Sequence, residues 1–597
     1  MPSLRLARLL PALLACTALL AAAPAVAQEA PEVRYDYRER IFTPVMAEQG
    51  MVASDHALAT RVGVDILRRG GNAVDAAVAV GFSLAVVLPN AGNLGGGGFM
   101  LVHDAASGRE VALDFRETAP ARAGRDMYLD AKGEVEAGKS LYTHQAVGVP
   151  GTVAGLVHAQ RSFGRLPLAT VVAPAIALAR KGFRVSPTLA EMLRVERENL
   201  ARWPATRAIF FKEVRQTLPC SQQPCTVSVT QEPLAAGDLL VQRDLAQSLE
   251  AIARDGAAAF YEGEIGRLIA DEVARHGGVM TAEDLRSYRV VERRPVEGSY
   301  RGLRVTVMPP PSSGGVHIVQ MLNLLQRYPL ADYGAGSAQA LHLMAESMKL
   351  AYADRSRWLG DPDYVRVPVS GLISPAYADE LARNVDPQRA TPAERIAPGT
   401  PQPYESPQTT HYSVADDAGN VVSTTYTLNL NFGSGIVAAG TGILLNNEMD
   451  DFSAKPGVPN AYGLVGGEAN AIEPGKRPLS SMSPAIVYRD GKPWLVTGSP
   501  GGARIISTVL QAIVNAADFG MNPAESAAMP RIHHQWTPDF LRVEKGLSPD
   551  TMRLLSQMGH DVRVMPVMGS TQTIQIEDGR FYGASDPRNP DGYTAGY

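Results

Sequence analysis

The segment of residues 405–429, ESPQTTHYSVADDAGNVVSTTYTLN, constrains the fold of this chain more than any other stretch. Two runs rich in β-branched and aromatic residues flank the loop Asp417-Ala418-Gly419. A three-residue loop that ends in glycine is common in β-hairpins, because glycine readily adopts the left-handed conformation needed there. The sequence therefore predicts a hairpin with a threonine cluster on each strand.

The loop also predicts which residues of the two strands face each other. If Asp416 pairs with Asn420, then Thr409 lies opposite Thr427. Directly opposed residues project from the same face of a sheet, so the two hydroxyls would be neighbours. A slip of one residue would instead bring Thr410 opposite Thr427 and remove this inference.

A threonine at the start of a strand has two readings. Thr409 follows residues 385–408, which are rich in Pro, Gln, Ser and Thr and predict an exposed, flexible segment. If the bond before Thr409 is cut, its free α-amine can act as the base for its own hydroxyl. The simpler reading is that threonine favours strands, and composition alone supports it.

Composition limits the class of protein. Apolar residues make up 45% and charged residues 20% of the 597-residue chain, as in globular proteins with a large core. A prior of about 150 residues per domain suggests about four domains. The net charge of −5 gives no bulk attraction for nucleic acid.

The first 27 residues predict an export signal. Arg5 and Arg8 precede an apolar run over residues 9–20, and small residues permit cleavage after Ala27. A rival reading makes Cys16 a lipidation site, but the apolar run continues past it. No later segment reaches the ~18 uninterrupted apolar residues of a membrane-spanning helix. We expect an exported, periplasmic protein, with secretion or a lipid anchor as alternatives.

Two cysteines remain after the predicted signal. Cys220 and Cys225 lie in PCSQQPC, and an even pair at short spacing in an exported protein predicts a disulfide. A metal site is the weaker reading, since no second Cys or His pair stands nearby at zinc spacing.

Two helices are predicted after residue 53. The first has a polar start at Ser54 or Asp55 and stops at Gly70, and the second starts from the N-cap Asn72 and ends before Pro89. The second helix is apolar almost all round, which predicts burial.

Two further stretches carry structural predictions. The four glycines of NLGGGGFM lack the spacing of a phosphate-binding loop, which favours tight backbone packing. The stretch AQALHLMAESMKLAYADRSRWL predicts an amphipathic helix.

Many motifs occur in one order along the chain. They are GGNAVDAAVA, NLGGGGFM, DFRETAP, PPPSSGG, QTTHYSV, TYTLN, LLNNEMDDFSAKPGVPN, GKRPLSSMSPAIV, GSPGGARI and YGASDPR…AGY. Over nearly everything after the signal, the chain resembles the γ-glutamyltranspeptidase family, whose members are also called glutathione hydrolases.

This resemblance implies an α+β fold with four αββα layers, that of an N-terminal-nucleophile hydrolase. It places self-cleavage between Gln408 and Thr409. A large subunit (28–408) and a small subunit (409–597) would then interleave in one domain, rather than form four domains.

The resemblance also implies roles for individual residues. Thr409 would be the nucleophile, Thr427 its hydrogen-bonding partner, and Gly501 and Gly502 the N–H donors to the oxyanion. The residues expected to bind substrate are Arg116, Ser480 and Ser481 for the α-carboxylate, Asn429, Glu448 and Asp451 for the α-amine, and Tyr462 as a lid. An arginine fits a carboxylate at two points. Taken singly, these residues could be surface ion pairs, ordinary turns or a solvated acidic loop.

The implied activity is γ-glutamyl transfer and hydrolysis of glutathione and other γ-glutamyl compounds, with water, amino acids or dipeptides as acceptors. No cofactor is expected, and no metal, since adjacent His533 and His534 would face opposite ways on a strand. One alternative is an acylase of the same fold acting on a glutaryl side chain of a β-lactam, which would not need Asn429, Glu448 and Asp451 together. Another is an exported binding protein without catalysis, which the intact QTTHYSV disfavours.

Overall fold

The computed structural model describes residues 40–217, 227–401 and 411–597. The strands are β1 (Val45–Ala47), β2 (Gly50–Ser54), β3 (Gly97–Asp104), β4 (Arg109–Phe115), β5 (Phe183–Arg184), β6 (Phe211–Thr217), β7 (Val227–Pro233), β8 (Leu239–Leu240), β9 (Val291–Arg293), β10 (Val296–Tyr300), β11 (Leu303–Val307), β12 (Tyr412–Asp416), β13 (Val421–Thr427), β14 (Val437–Ala438), β15 (Ile443–Leu444), β16 (Ala485–Arg489), β17 (Lys492–Thr497), β18 (Ile532–His533), β19 (Leu541–Glu544), β20 (Val562–Met565), β21 (Gln572–Glu577), β22 (Arg580–Ser585) and β23 (Tyr593–Gly596).

The α-helices are α1 (Ala57–Arg68), α2 (Ala73–Val87), α3 (Thr152–Phe163), α4 (Leu168–Lys181), α5 (Pro187–Val195), α6 (Arg197–Leu200), α7 (Pro204–Phe210), α8 (Arg243–Asp255), α9 (Ala257–Tyr261), α10 (Glu264–Arg275), α11 (Ala282–Ser287), α12 (Ser313–Leu325), α13 (Leu330–Tyr333), α14 (Ala338–Trp358), α15 (Val369–Leu372), α16 (Pro375–Ala382), α17 (Ile505–Ala517), α18 (Pro523–Ala528) and α19 (Pro549–Gln557). Short 3₁₀ segments are His144–Ala146, Ala393–Arg395, Glu448–Asp451, Glu468–Asn470 and Gly502–Arg504.

Two seven-stranded sheets form the centre of the molecule. Sheet 1 has the strand order β1-β22-β21-β17-β16-β11-β10, and sheet 2 has the order β23-β2-β12-β13-β3-β4-β9. A buried apolar cluster contains side chains of both sheets, such as Phe99 and Met51 of sheet 2 and Val496 and Ile574 of sheet 1. The two sheets therefore pack face to face.

Helices cover the outer face of each sheet. The core of α1, α2, α3, α4 and α8 packs on sheet 2, and the core of α12, α14 and α17 packs on sheet 1. The predicted four-layer αββα arrangement is confirmed. Residues 42–597 form one compact unit, so the prior of about four domains is wrong.

The predicted hairpin forms with the predicted register. Tyr412 pairs with Thr424 and Ala415 with Val421, and the Asp416 N–H donates to the Asn420 carbonyl at 3.1 Å. Gly419 closes the loop at φ 87°. Both strands lie in the middle of sheet 2, because β12 also pairs with β2 and β13 with β3.

One of the two predicted helix starts is wrong. The N-cap of α1 is His56 rather than Ser54 or Asp55, and its Nδ1 accepts the Leu58 N–H at 3.2 Å. The Asn72 cap of α2 is confirmed as a full capping box, and every residue of α2 is buried.

The tetraglycine stretch packs its backbone tightly, as predicted. A Cβ on Gly96 would lie 1.9 Å from the Thr427 carbonyl oxygen, and one on Gly95 would lie 2.1 Å from the Leu444 oxygen. These glycines let the chain before β3 approach the end of β13.

The predicted helix over residues 338–358 forms as α14, but it is not amphipathic. Its buried residues include Glu346, Lys349, Asp354 and Arg355. Long-range partners explain their burial: Asp354 accepts hydrogen bonds from Gln320 and Tyr377, and Arg355 donates to Ser313.

Several predictions lie outside the described residues and stay predictions. They are the export signal (1–27), the Cys220–Cys225 disulfide and the Gln408–Thr409 cleavage point. Each sheet combines strands that precede residues 402–410 with strands that follow them. None of the helices in the described ranges combines the length and apolar character needed to cross a bilayer.

Candidate active site

The end of β13 holds Thr427 in a fixed position. Its carbonyl oxygen accepts a hydrogen bond from the Asn93 side chain at 2.8 Å. Its Oγ1 accepts the Asn429 N–H at 2.8 Å. Because that oxygen is used as an acceptor, the Thr427 hydroxyl hydrogen remains available for a further acceptor.

Asn429 connects the hairpin to the segment that carries the predicted acids. It adopts φ 76°, a left-handed conformation that asparagine tolerates better than most residues. Its side chain donates to the Asn447 carbonyl at 3.0 Å, next to Glu448. Its buried Oδ1 has no hydrogen-bond partner among the described residues.

Arg116 is completely buried and faces three carboxylates. Its guanidinium donates to Asp451 at 2.6 Å and to Glu448, and it lies 3.5 Å from Glu117. Its Nε donates to the Pro478 carbonyl at 3.3 Å. Arg116 is therefore not a surface ion pair, and the acids at 448–451 are not a solvated loop.

The charges of this group are unbalanced. Burial alone would lower the pKa of Arg116, but the charges of Glu448, Glu117 and Asp451 outweigh it and raise the pKa. Burial raises the pKa of Glu448 and of Asp451, although Arg116 opposes both shifts. Arg116 thus faces three carboxyls, Arg355 acts on Asp451 alone, and the raised pKa values mean that this group binds a further positive charge, such as a proton, more readily than separate carboxyls do.

Ser480 and Ser481 come shortly after Pro478 in the chain, and the Pro478 carbonyl accepts a hydrogen bond from Arg116. Both hydroxyl oxygens are buried and have no hydrogen-bond partner among the described residues. Asn470 holds this segment to the acids, since its side chain donates to the Asp451 carbonyl at 2.7 Å and accepts the Leu479 N–H at 2.9 Å. Buried hydroxyls without partners are uncommon and indicate a place for a ligand.

Gly501 and Gly502 lie at the start of the segment before α17. Their φ angles are 135° and 57°, so side chains are disfavoured at both positions. A Cβ on Gly502 would lie 2.5 Å from the ring of Tyr462. The Tyr462 hydroxyl donates to the Asn429 carbonyl, which places this ring between the glycines and Asn429.

A cavity of about 430 Å³ brings part of the predicted site together. Thr427, Asn429, Tyr462, Gly501 and Gly502 line it. The buried group around Arg116 and the two serines do not line this cavity. Asn429 joins the two regions through its bond to Asn447.

Sequence reasoning missed residues that belong to this neighbourhood. Glu117 contacts Arg116, Asn470 joins the acids to the serines, and Asp55 and Arg504 line the cavity. Glu117 and Arg504 carried a signal, as the neighbour of Arg116 in DFRETAP and as the arginine after the glycine pair in GSPGGARI.

Among the residues that the structure describes, two groups of side chains have a geometry that could hold a metal ion. They are His144, Glu272 and His276, and His342, Glu346 and His560. Neither group contains a residue predicted for the active site. In the second, His342 and His560 already bond to each other at 2.8 Å and Lys349 pairs with Glu346.

The chain matches a family model and solved structures over most of its length. The model of γ-glutamyltranspeptidase matches residues 59–596. The glutathione hydrolase proenzyme of Escherichia coli (strain K12) is 57% identical over 96% of this chain and 96% of that protein. A cephalosporin acylase from Bacillus halodurans covers 95% of this chain and 99% of its own, with 29% identity and a TM-score of 0.81. The γ-glutamyltranspeptidase of Helicobacter pylori shares 44% identity over 58% of this chain and 94% of its own, with a TM-score of 0.54.

The αββα layers, with a threonine-bearing hairpin at the centre of one sheet, define the class of N-terminal-nucleophile hydrolases. Within that class, the chain belongs to the γ-glutamyltranspeptidase family.

Proposed function

We propose that this chain is a precursor that cuts itself before Thr409 and then transfers γ-glutamyl groups from glutathione and related compounds. The carrying observation is the buried group in which Arg116 meets Glu448 and Asp451 beside two hydroxyls without partners. A free amino-acid head has one carboxylate and one ammonium, and this group offers a partner to each.

Substrate binding exchanges partners within this group. The substrate α-carboxylate accepts hydrogen bonds from the Arg116 guanidinium and from the hydroxyls of Ser480 and Ser481. Glu448 and Asp451, which no longer bind Arg116, then bind the substrate α-ammonium together with the Asn429 side-chain oxygen. Each buried charge keeps an opposite partner, so the exchange avoids leaving an unpaired buried ion.

The chemical step follows from the hairpin. The Thr409 hydroxyl attacks the γ-carbonyl carbon, and the α-amine of Thr409 accepts its proton. The Thr427 hydroxyl hydrogen-bonds the nucleophile. The N–H groups of Gly501 and Gly502 stabilise the oxyanion, each by about 3 kcal/mol at the transition state. The amide C–N bond then breaks as the Thr409 α-ammonium gives its proton to the leaving amine, and water or an acceptor amine cleaves the ester bond of the acyl-enzyme.

The acylase alternative has support in the cephalosporin acylase that shares the fold. A glutaryl side chain has no α-amine, so it would leave the acids beside Arg116 without a cation. The excess of carboxyls in this group favours a substrate that carries an ammonium. A binding protein without catalysis would remain a single uncut chain.

Two chromogenic anilides test the proposal. The γ-glutamyl and glutaryl anilides differ in the α-ammonium of the head, so their kcat/KM ratio reports recognition of that group. We expect the mature protein to prefer γ-glutamyl strongly. Equal cleavage of both anilides would favour the acylase, and failure of a matured protein to cleave either would refute the transferase.

Thr427→Ala is expected to slow both self-cleavage and turnover, because one hydroxyl serves the same nucleophile in both reactions. Loss of one such hydrogen bond predicts a decrease of about tenfold to a hundredfold in each rate. The rates are measured by denaturing gel and by anilide hydrolysis. Thr424→Ala is the matched control, since Thr424 lies on β13 at a position that faces the other side of the sheet. Wild-type rates in Thr427→Ala would contradict the proposed pairing.

The proposal includes the organisation of the mature enzyme. Cleavage gives subunits of residues 28–408 and 409–597, and their strands stay interleaved in both sheets. We place the enzyme outside the cytoplasm, most simply in the periplasm, on the basis of the export-type N-terminus. Amino acids and dipeptides are the proposed acceptors, and neither a cofactor nor nucleic acid takes part.

A further inference from the structure

The cavity continues past the glycine pair on the side away from Tyr462. Gly502 packs against Tyr462, whereas a Cβ on Gly501 would lie nearest to Gly569, with its nitrogen at 3.5 Å. Ser570 follows Gly569, and its hydroxyl donates to Asp55 at 2.7 Å. The glycine pair therefore lies between Tyr462 and Asp55.

Asp55 is a buried carboxylate on the wall of this cavity, with 5% of its surface exposed. Ser570, Gln572 and Asn589 all donate to the same oxygen, Oδ1, at 2.7–2.8 Å. These donors are neutral, and no cationic side chain in the described ranges forms an ion pair with Asp55. Burial raises the pKa of Asp55 to about 6, with the three hydrogen bonds opposing the shift. The negative charge of Asp55 is therefore stabilised by three neutral hydrogen-bond donors and has no counter-ion among the described residues.

The neighbouring charges do not neutralise Asp55. Arg588 lines the same wall, but it is bound to Asp586 and Glu544. Arg504 also lines the cavity, and it follows the glycine pair on the side of Tyr462. Neither arginine of the cavity wall therefore forms an ion pair with Asp55 among the described residues.

A second group on the cavity wall also lacks a partner. The Asn90 Oδ1 is buried and accepts no hydrogen bond from any residue that the structure describes, and Asn90 lines the cavity with Asp55. Asn90 and Asp55 come from different segments, the end of α2 and the start of α1. Both present oxygen acceptors, which suit a ligand rich in N–H groups.

We propose that Asp55 and Asn90 form the subsite for the amine side of the reaction and select acceptors that carry a second, positively charged group. This inference rests on the proposed function. The γ-glutamyl head lies on the Tyr462 side and the reacting carbonyl at the glycine pair, so the leaving amine and its replacement lie on the Asp55 side.

The transfer step balances without another reactant. The neutral acceptor amine attacks the carbonyl carbon of the acyl-enzyme, a C–N bond forms and the bond to Thr409 Oγ1 breaks. The proton lost by the amine passes to Thr409. Because the attacking amine must be neutral, the cation that Asp55 binds is another group of the acceptor, such as a side-chain ammonium or guanidinium.

Competing acceptors test this subsite. Transfer from the γ-glutamyl anilide is measured with lysine, methionine and glutamate, which have side chains of similar length and different charge. We expect the order lysine, methionine, glutamate in kcat/KM for the acceptor. Asp55→Asn should reduce the ratio of lysine to methionine by about tenfold, the effect of one charge-assisted contact. The ratio within one variant cancels any change in acyl-enzyme formation.

Two further variants make the test decisive. Asn90→Asp adds a carboxylate to the same wall and should increase the ratio of lysine to methionine. This variant tests the subsite even if Asp55→Asn does not mature. Asp65→Asn removes the same charge from an exposed position of α1 and should leave the ratio unchanged. A ratio that stays at the wild-type value in both cavity variants overturns the inference, while anilide cleavage continues to support the proposed function. If the mature wild-type protein does not cleave the γ-glutamyl anilide at all, the proposed function is refuted instead.

Discussion

Thr409→Ala is expected to leave the chain uncut and to lower γ-glutamyl hydrolysis by a factor on the order of 10⁴ or more, as for removal of other catalytic nucleophiles. The described half of the hairpin has the register that brings Thr409 opposite Thr427 when it is continued. Alanine removes the hydroxyl needed for both self-cleavage and acyl-enzyme formation. A denaturing gel should show one band for the variant and two for the wild type.

Two variants at the same strand start separate the nucleophile from its neighbour. Thr409→Ser keeps a hydroxyl and should still mature, although more slowly. Thr410→Ala removes the hydroxyl that a one-residue slip would place opposite Thr427, and it should mature normally. N-terminal sequencing of the small fragment should begin TTHYSV. A fragment that starts elsewhere, or an active Thr409→Ala protein, would refute the assignment.

Local chemistry explains which parts of the fold the sequence predicts. The register of β12 and β13 follows from a turn whose glycine needs a left-handed conformation, and the capping box of Asn72 lies within four residues. The N-cap of α1 was missed because an imidazole nitrogen can accept the same backbone hydrogen bond as a hydroxyl or carboxylate.

Long-range contacts explain what could not be predicted. Polar residues of α14 are buried because partners from distant segments satisfy them, so their periodicity did not reveal the helix surface. In the site, the resemblance identified Arg116 and the motif DFRETAP placed Glu117 beside it, but the bridge through Asn470 depends on how distant segments meet. Neither the periodicity of the sequence nor a motif predicts that these segments come into contact.

The ionic group around Arg116 gives the second large effect. Arg116→Lys keeps the positive charge but loses the planar fork, and Asp451→Asn keeps the size but removes one of the charges that would meet the substrate ammonium. A charge-assisted contact contributes roughly 1.5–3 kcal/mol, so each change should lower kcat/KM for the γ-glutamyl anilide about tenfold to a hundredfold or more. Self-cleavage should persist in both, because neither side chain contacts the bond before Thr409 in this scheme.

The glutaryl anilide separates loss of head recognition from general damage to the site. It lacks the α-ammonium, so Asp451→Asn should lower γ-glutamyl cleavage far more than any glutaryl cleavage, and the preference for γ-glutamyl should largely disappear. Asp450→Asn is the matched control, since Asp450 is a buried neighbour that accepts hydrogen bonds from Ser140 and Ala461 but does not contact Arg116. Its preference for γ-glutamyl should stay near the wild-type value. If Asp451→Asn also retains that preference, then the acids beside Arg116 only balance its charge, and the substrate ammonium binds elsewhere.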